Sequence, residues 1–286
     1  MRNMITGNAA GVPFVATPPA AAESDTAPVV VAWHLMDAPR TEAAFAAALP
    51  LDGLDAWRIY LGLPLSGARL PEGGYDELMR LGYEDAVLNL QGPVTAQAAA
   101  EFPAALDELR DRLGLGGGPV GVLGGSVGAA VALLAVTDSD VAIDAAVLVS
   151  PLVQLRAAVE AMGRQFGVAY AWSDESLRVA ERLDFVARAA EVARAGEPAV
   201  LLVVGEDDDP DGFQRPAAEL RDALAKEYRD GDRVDLVSVP GMAHALAEEP
   251  GTEPAPQTLQ AATVDAHAAG WFQRHLVGRA RTRLAS

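Results

Sequence analysis

Short apolar runs alternate with longer amphipathic stretches along this chain, and that rhythm predicts strands separated by helices. Val29 to Trp33 is continuously apolar, the pattern of a strand buried on both faces. Val120 to Leu123, Ala145 to Val149 and Ala199 to Val204 repeat it. Trp57, Ile59 and Leu61 mark another strand, and Val234, Leu236, Val237 and Val239 the last one. Gly11 to Val15 reads as a short edge strand and Pro18 to Ala27 as a loop. Ala86 to Leu90, closed by Gly92-Pro93, reads as one more strand. The predicted helices lie between. One runs from Thr41, an N-cap, through Ala48 and stops near Pro50. Others cover Tyr75 to Leu81 and Gln97 to Leu113, the latter with Leu106, Leu109 and Leu113 on one face and Pro103 as a start or kink. Ala129 to Ala135 suits a buried helix, Pro216 to Tyr228 is helical, and Thr258 to Val277 is a long terminal helix with Gly270 as its weak point. Leu152 to Arg194 carries two or three helices and no clear strand. The alternation predicts an α/β fold, with a mainly parallel central sheet covered by helices on both faces.

Composition narrows the functions open to such a fold. The chain has 286 residues, of which 50% are hydrophobic, enough for one large α/β domain with a sizeable core. No internal repeat is visible, and no apolar run is long enough to span a bilayer. A formal net charge of −18 argues against nucleic acid or an anionic membrane as partner. Lys226 is the only lysine. The absence of cysteine excludes disulfides, thiolate metal sites and a cysteine nucleophile together. Near the start, Arg2 is followed by Asn3, Gly7, Asn8, Gly11, Pro13, Pro18 and Pro19, a poor signal-peptide core, so the expected location is the cytoplasm. Ala20-Ala21-Ala22 is the one stretch there that resembles a cleavage site.

The candidate chemistry centres on Gly124-Gly125-Ser126-Val127-Gly128. A strand ends just before Ser126 and a helix begins just after it. Gly-x-Ser-x-Gly suits that position because a sharp turn strains the serine backbone, and small neighbours let strand and helix approach. The helix N-terminus then points backbone N–H groups at the place where negative charge develops. A serine hydroxyl is a weak nucleophile and needs a base. Of four histidines, His244 stands in the loop after the last strand, at the sheet end where Ser126 lies. His34 ends its own strand, where a bond to the loop is as good a reading as a direct role. His267 and His275 fall inside the terminal helix. The base in turn needs a carboxylate to hold its tautomer. The strand ending at Val204 leads into Gly205-Glu206-Asp207-Asp208-Asp209-Pro210-Asp211, which offers Asp208, with Asp207 and Asp209 as rivals. A run of acids is also the pattern of a solvated loop or a weak cation site, and nothing nearby in sequence strengthens a metal reading.

The order Ser126, Asp208, His244, each just past a predicted strand, resembles the α/β-hydrolase fold family from about Val29 to Val277. The double glycine before the serine is similar to the dienelactone-hydrolase-like and prolyl-oligopeptidase-like branches. The resemblance implies one domain over residues 1–286, with 152–194 as a small helical cap in which Met162, Phe166, Tyr170 and Trp172 either line a pocket or pack on the core. It implies Ser126 as nucleophile, His244 as base and then acid, and Asp208 as the orienting carboxylate, three residues after Gly205. It implies an oxyanion hole from the N–H of Val127 and a second N–H at Leu35 or, preferably, Met36. The family often has His-Gly where this chain has His34-Leu35, and leucine resists backbone conformations that glycine adopts. The implied activity is hydrolysis of carboxylic esters through an acyl-enzyme, on a small-molecule substrate, without metal or cofactor. Thioesters, lactones and short peptides are related substrates, although the chain is too short to add a propeller domain to this core. A non-catalytic binding protein on the same fold is the alternative of a different class, and an acidic interaction domain a third.

Overall fold

The computed structural model describes residues 4–20 and 26–278. Arg2, Asn3, Ala21, Ala22, most of the Pro18 to Ala27 loop's centre and the Phe166 side chain lie outside the described residues. In chain order the elements are β1 (Ile5–Ala9), β2 (Val12–Thr17), β3 (Val29–Trp33), α1 (Glu42–Ala48), β4 (Trp57–Leu61), α2 (Gly74–Glu84) and α3 (Gly92–Leu113). Next come β5 (Val120–Gly125), α4 (Val127–Asp138), β6 (Ala145–Val149), α5 (Leu155–Phe166), α6 (Asp174–Arg182) and α7 (Ala189–Arg194). The last are β7 (Ala199–Gly205), α8 (Arg215–Glu227), β8 (Val234–Val239) and α9 (Leu259–Phe272). The strands form one 8-stranded sheet in the order β1-β2-β4-β3-β5-β6-β7-β8. β2 runs antiparallel to both β1 and β4; every other pairing is parallel.

The pleat sends alternate side chains into two cores. Val29, Val31 and Trp33 face α3 and α4, together with Val122, Ala146, Leu148, Val200 and Leu202. Val30 and Ala32 face α1 and α9, together with Leu123, Val147, Leu201 and Val203. This explains why the parallel strands read as unbroken apolar runs rather than alternating ones. α4 is buried from Val127 to Val136, closed between the sheet and α3. β8 is different. It pairs only with β7 and exposes Asp235 and Ser238, so it forms one edge of the sheet.

Three expectations need correction. Ala86 to Gln91 is a π-helical turn, not a strand. The Asp85 carboxylate accepts from the N–H groups of Val87 and Leu88 at 3.0 and 2.8 Å, which starts a helical turn that runs on into α3. Gly11 is not in a strand, and the strand after it, β2, pairs on both sides rather than forming an edge; Ala10 and Gly11 have φ of 48° and 82° and make the tight turn that joins β1 to β2. α3 begins at Gly92, with Pro93 in its first turn and Pro103 inside it, so Pro103 does not start the helix. The terminal helix is present as expected, continuing through Gly270 and changing to a π-helical turn at Gln273–Val277. Leu152 to Arg194 holds three helices, α5 to α7. Of the proposed pocket residues there, Met162, Tyr170 and Trp172 pack half-buried on the core, and the Tyr170 hydroxyl donates to Asp85 at 2.6 Å.

Candidate active site

Ser126 sits between β5 and α4 with φ 48° and ψ −115°, a backbone conformation that L-residues rarely adopt. Its neighbours explain how the turn closes. A Cβ on Gly124 would overlap the Gly128 carbonyl, and one on Gly128 would overlap the Trp33 carbonyl, so β5, α4 and the end of β3 touch backbone to backbone. A Cβ on Gly125 would collide with the Leu35 side chain. The strained turn is tied down by hydrogen bonds: the Ser126 N–H donates to Val149 O at 2.9 Å, and its carbonyl accepts from Ala129 and Leu152 at 2.9 and 3.2 Å.

The Ser126 hydroxyl meets His244 Nε2 at 2.8 Å, and His244 Nδ1 meets Asp208 Oδ2 at 2.9 Å. An ionised carboxylate only accepts, so Nδ1 carries the proton and Nε2 accepts from the serine. The Asp208 side chain is 2% exposed and that of His244 20% exposed, a buried acid behind a half-open base. The other Asp208 oxygen accepts from the Asp209 N–H at 2.8 Å. Asp209 itself caps the turn Pro210–Gln214, accepting from Asp211 and Gly212 at 2.9 and 2.7 Å. Asp207 points outward, exposed, while its N–H donates to Met242 O at 2.9 Å and fastens the histidine loop to the acid loop. Of the three rival acids, only Asp208 faces the imidazole.

The two N–H groups expected to face an oxyanion lie at the start of α4 and in the loop after β3. α4 starts at Val127, so its first N–H groups have no partner within the helix. Met36 follows β3 at the same sheet end. Among the described residues, neither the Val127 nor the Met36 N–H donates a hydrogen bond. Leu35 keeps out of the left-handed region, so the loop forms without the family's glycine. His34 braces it. Its Nδ1–H donates to Leu35 O at 2.6 Å, and its Nε2 accepts from the Leu63 N–H at 3.1 Å. Burial pushes the His34 imidazole down to about 4, so it stays neutral in this structural role. His267 is exposed, and His275 packs on Trp271 with ring centroids 4.2 Å apart.

Two neighbours of His244 escape sequence reasoning. Phe213 lays its ring against the imidazole, with centroids 4.1 Å apart. Asp37, the residue after Met36, brings Oδ2 to 3.7 Å from His244 Nε2. Adjacency to Met36 was the only available signal for Asp37, and nothing local marks Phe213. No group of three or more His, Asp or Glu side chains among the described residues is arranged to hold a metal ion. No helix among them is long and apolar enough to cross a membrane.

The sequence profile of the prolyl oligopeptidase family matches residues 88–277, well over half of the chain. No curated protein matches it in sequence. Among solved structures, TT1662 from Thermus thermophilus is similar with a TM-score of 0.63 at 17% identity, over 96% of this chain and 98% of that one. A puromycin-hydrolyzing peptidase from Mycobacterium tuberculosis gives 0.62 at 18% identity, over 96% of this chain but only 40% of that one. A dienelactone hydrolase from Anabaena variabilis gives 0.53 at 17% identity, over 96% and 98%. At these identities the likeness to each structure is one of fold.

Proposed function

The chain belongs to the prolyl oligopeptidase family of α/β-fold serine hydrolases, and from that premise we propose that it cleaves carboxylic esters through an acyl-enzyme on Ser126. The observation that carries this reading is the unbroken hydrogen-bond chain from Ser126 Oγ through His244 to Asp208, at 2.8 and 2.9 Å. His244 Nε2 takes the serine proton as Oγ attacks the carbonyl carbon. Asp208 holds the Nδ1–H and stabilises the imidazolium that forms. The free N–H groups of Val127 and Met36 receive the negative charge on the carbonyl oxygen. His244 then gives its proton to the departing alcohol. Water, activated by the same nitrogen, attacks the acyl carbon and frees Ser126. The substrate in this reading is a small ester-like molecule rather than nucleic acid or membrane, and the working compartment is the cytoplasm.

A p-nitrophenyl ester series of increasing acyl length, on wild type and Ser126→Ala, tests this. Turnover by the wild type and a loss of about 10⁴-fold or more in kcat for the variant are expected. Asp208→Asn is expected to cost about 10⁴-fold, because the imidazole then takes the wrong tautomer. Wild-type protein that is folded yet inert toward the whole series would refute the ester reading. The family match favours peptide or amide bonds as a second reading, shared with the peptidase neighbour. Aminoacyl p-nitroanilides compared with the matching esters decide between them: turnover of the anilides at a rate near that of the esters would favour the peptidase.

A further inference from the structure

Asp37 places a negative charge at the catalytic nitrogen, on the side away from Asp208. Its Oδ2 lies 3.7 Å from His244 Nε2, and its side chain is 53% exposed. That nitrogen must also protonate the leaving group. A leaving oxygen in hydrogen-bond reach of Nε2, about 3.2 Å, therefore stands within about 7 Å of the Asp37 carboxylate. Among the described residues, no arginine or lysine forms an ion pair with Asp37, whose one charged neighbour at this distance is His244. Arg40, on the same loop, pairs with Glu249 at 2.7 Å, and Arg164 faces Asp209 and Asp211 at 3.6 and 3.3 Å. A carboxylate in this place also opposes the negative charge that develops on the carbonyl oxygen, unless the substrate brings a cation.

We infer that Asp37 selects substrates whose leaving group carries a positive charge close to the scissile bond, such as amino-alcohol or choline-type esters. This deepens the serine-hydrolase reading and rests on it. The chemical step is unchanged: the acyl C–O bond breaks, the oxygen keeps the electron pair and takes the proton from His244 Nε2, and a cationic alcohol leaves. Asp37 acts through space on the charge of the departing group, and the net charge of −18 adds a weaker attraction of the same sign.

The test compares acetylcholine with 3,3-dimethylbutyl acetate, its neutral isostere, on wild type, Ser126→Ala and Asp37→Asn. With the ammonium nitrogen folded back to about the same 7 Å from Asp37 as the leaving oxygen, opposite unit charges at an effective dielectric of 20–40 correspond to a kcat/KM ratio of about sevenfold to fiftyfold in favour of the cation. The ratio is expected to shrink toward one as salt rises and the charges are screened. In Asp37→Asn it is expected to fall to within about twofold of one. Equal kcat/KM for both esters in the wild type, each lost in Ser126→Ala, overturns the Asp37 role and leaves the serine chemistry standing. So does an Asp37→Asn variant that keeps the ratio but shifts the pH profile, since Asp37 would then act only through His244. A fluorophosphonate label on Ser126 without turnover of either ester shows a reactive serine and refutes this leaving-group class. No label and no turnover in folded protein overturns both readings.

Discussion

Ser126 is held at φ 48°, and a non-glycine residue in such a region costs of the order of 1–3 kcal/mol. Glycine does not meet that cost. Ser126→Gly and Ser126→Ala both lose the hydroxyl, yet Ser126→Gly should melt higher, by about 1 kcal/mol in stability, when the two inactive variants are compared by thermal unfolding. The adjacent acids separate by a different criterion. Asp209→Ala removes two hydrogen bonds from a turn and should cost about 1 kcal/mol of stability, with a far smaller loss of kcat than Asp208→Asn. The meeting of Ser126, Asp208 and His244 was legible because each follows a strand of a parallel sheet, and such strands end on one side. The choice of Asp208 over its neighbours was not legible from the acidic run itself. It depends on which carboxylate turns inward, and the loop geometry decides that. Asp37 stayed hidden for a similar reason: its partner lies on the far side of the sheet order, and no local pattern reports such a distance.

At the scale of elements, buried parallel strands were the easiest to read. Their apolar runs have strand length, and Gly or Pro closes most of them. Ala86 to Leu90 has the same look and is helical, because five residues, apolar but for Asn89, carry no period of their own and the Asp85 cap decides their form. β1 was missed because Ile5–Ala9 contains Thr6, Gly7 and Asn8 and buries only Ala9 fully. Gly270 leaves the terminal helix unbroken but still carries the cost of a glycine in a helix interior. A Cβ there meets only the Arg274 guanidinium, at an ordinary 3.6 Å. Gly270→Ala should therefore stabilise the protein by about 0.5–1 kcal/mol, seen as a rise of a degree or more in Tm.

Over the whole molecule, two buried groups respond to pH with opposite signs. Burial raises the Asp265 carboxyl from its usual 3.8 to about 6, even though it accepts from the Leu51 N–H at 2.7 Å. The stability linked to it is fully present below the unfolded value and is lost as pH rises through about 6. His34 is lowered from 6.5 to about 4, so its contribution is present above 6.5 and is lost as pH falls through about 4. Between pH 4 and 6.5 the two offset each other. Asp265→Asn should unmask the histidine: the variant's Tm should fall more steeply than that of the wild type between pH 6.5 and 4, while at pH 8 it should exceed the wild type. A parallel slope would rule this coupling out. The sheet edge has a consequence of another kind. His244 hangs from β8, which is secured on one side only, whereas Ser126 hangs from β5, clasped between β3 and β6. Of these two strands, β8 should fray first. On gentle heating, the Val234–Val239 amides should exchange with solvent before those of Val120–Gly125, and the imidazole should drift from the serine while the core is still intact. Inactivation would then precede melting, and a cooled sample would regain its activity without having to refold.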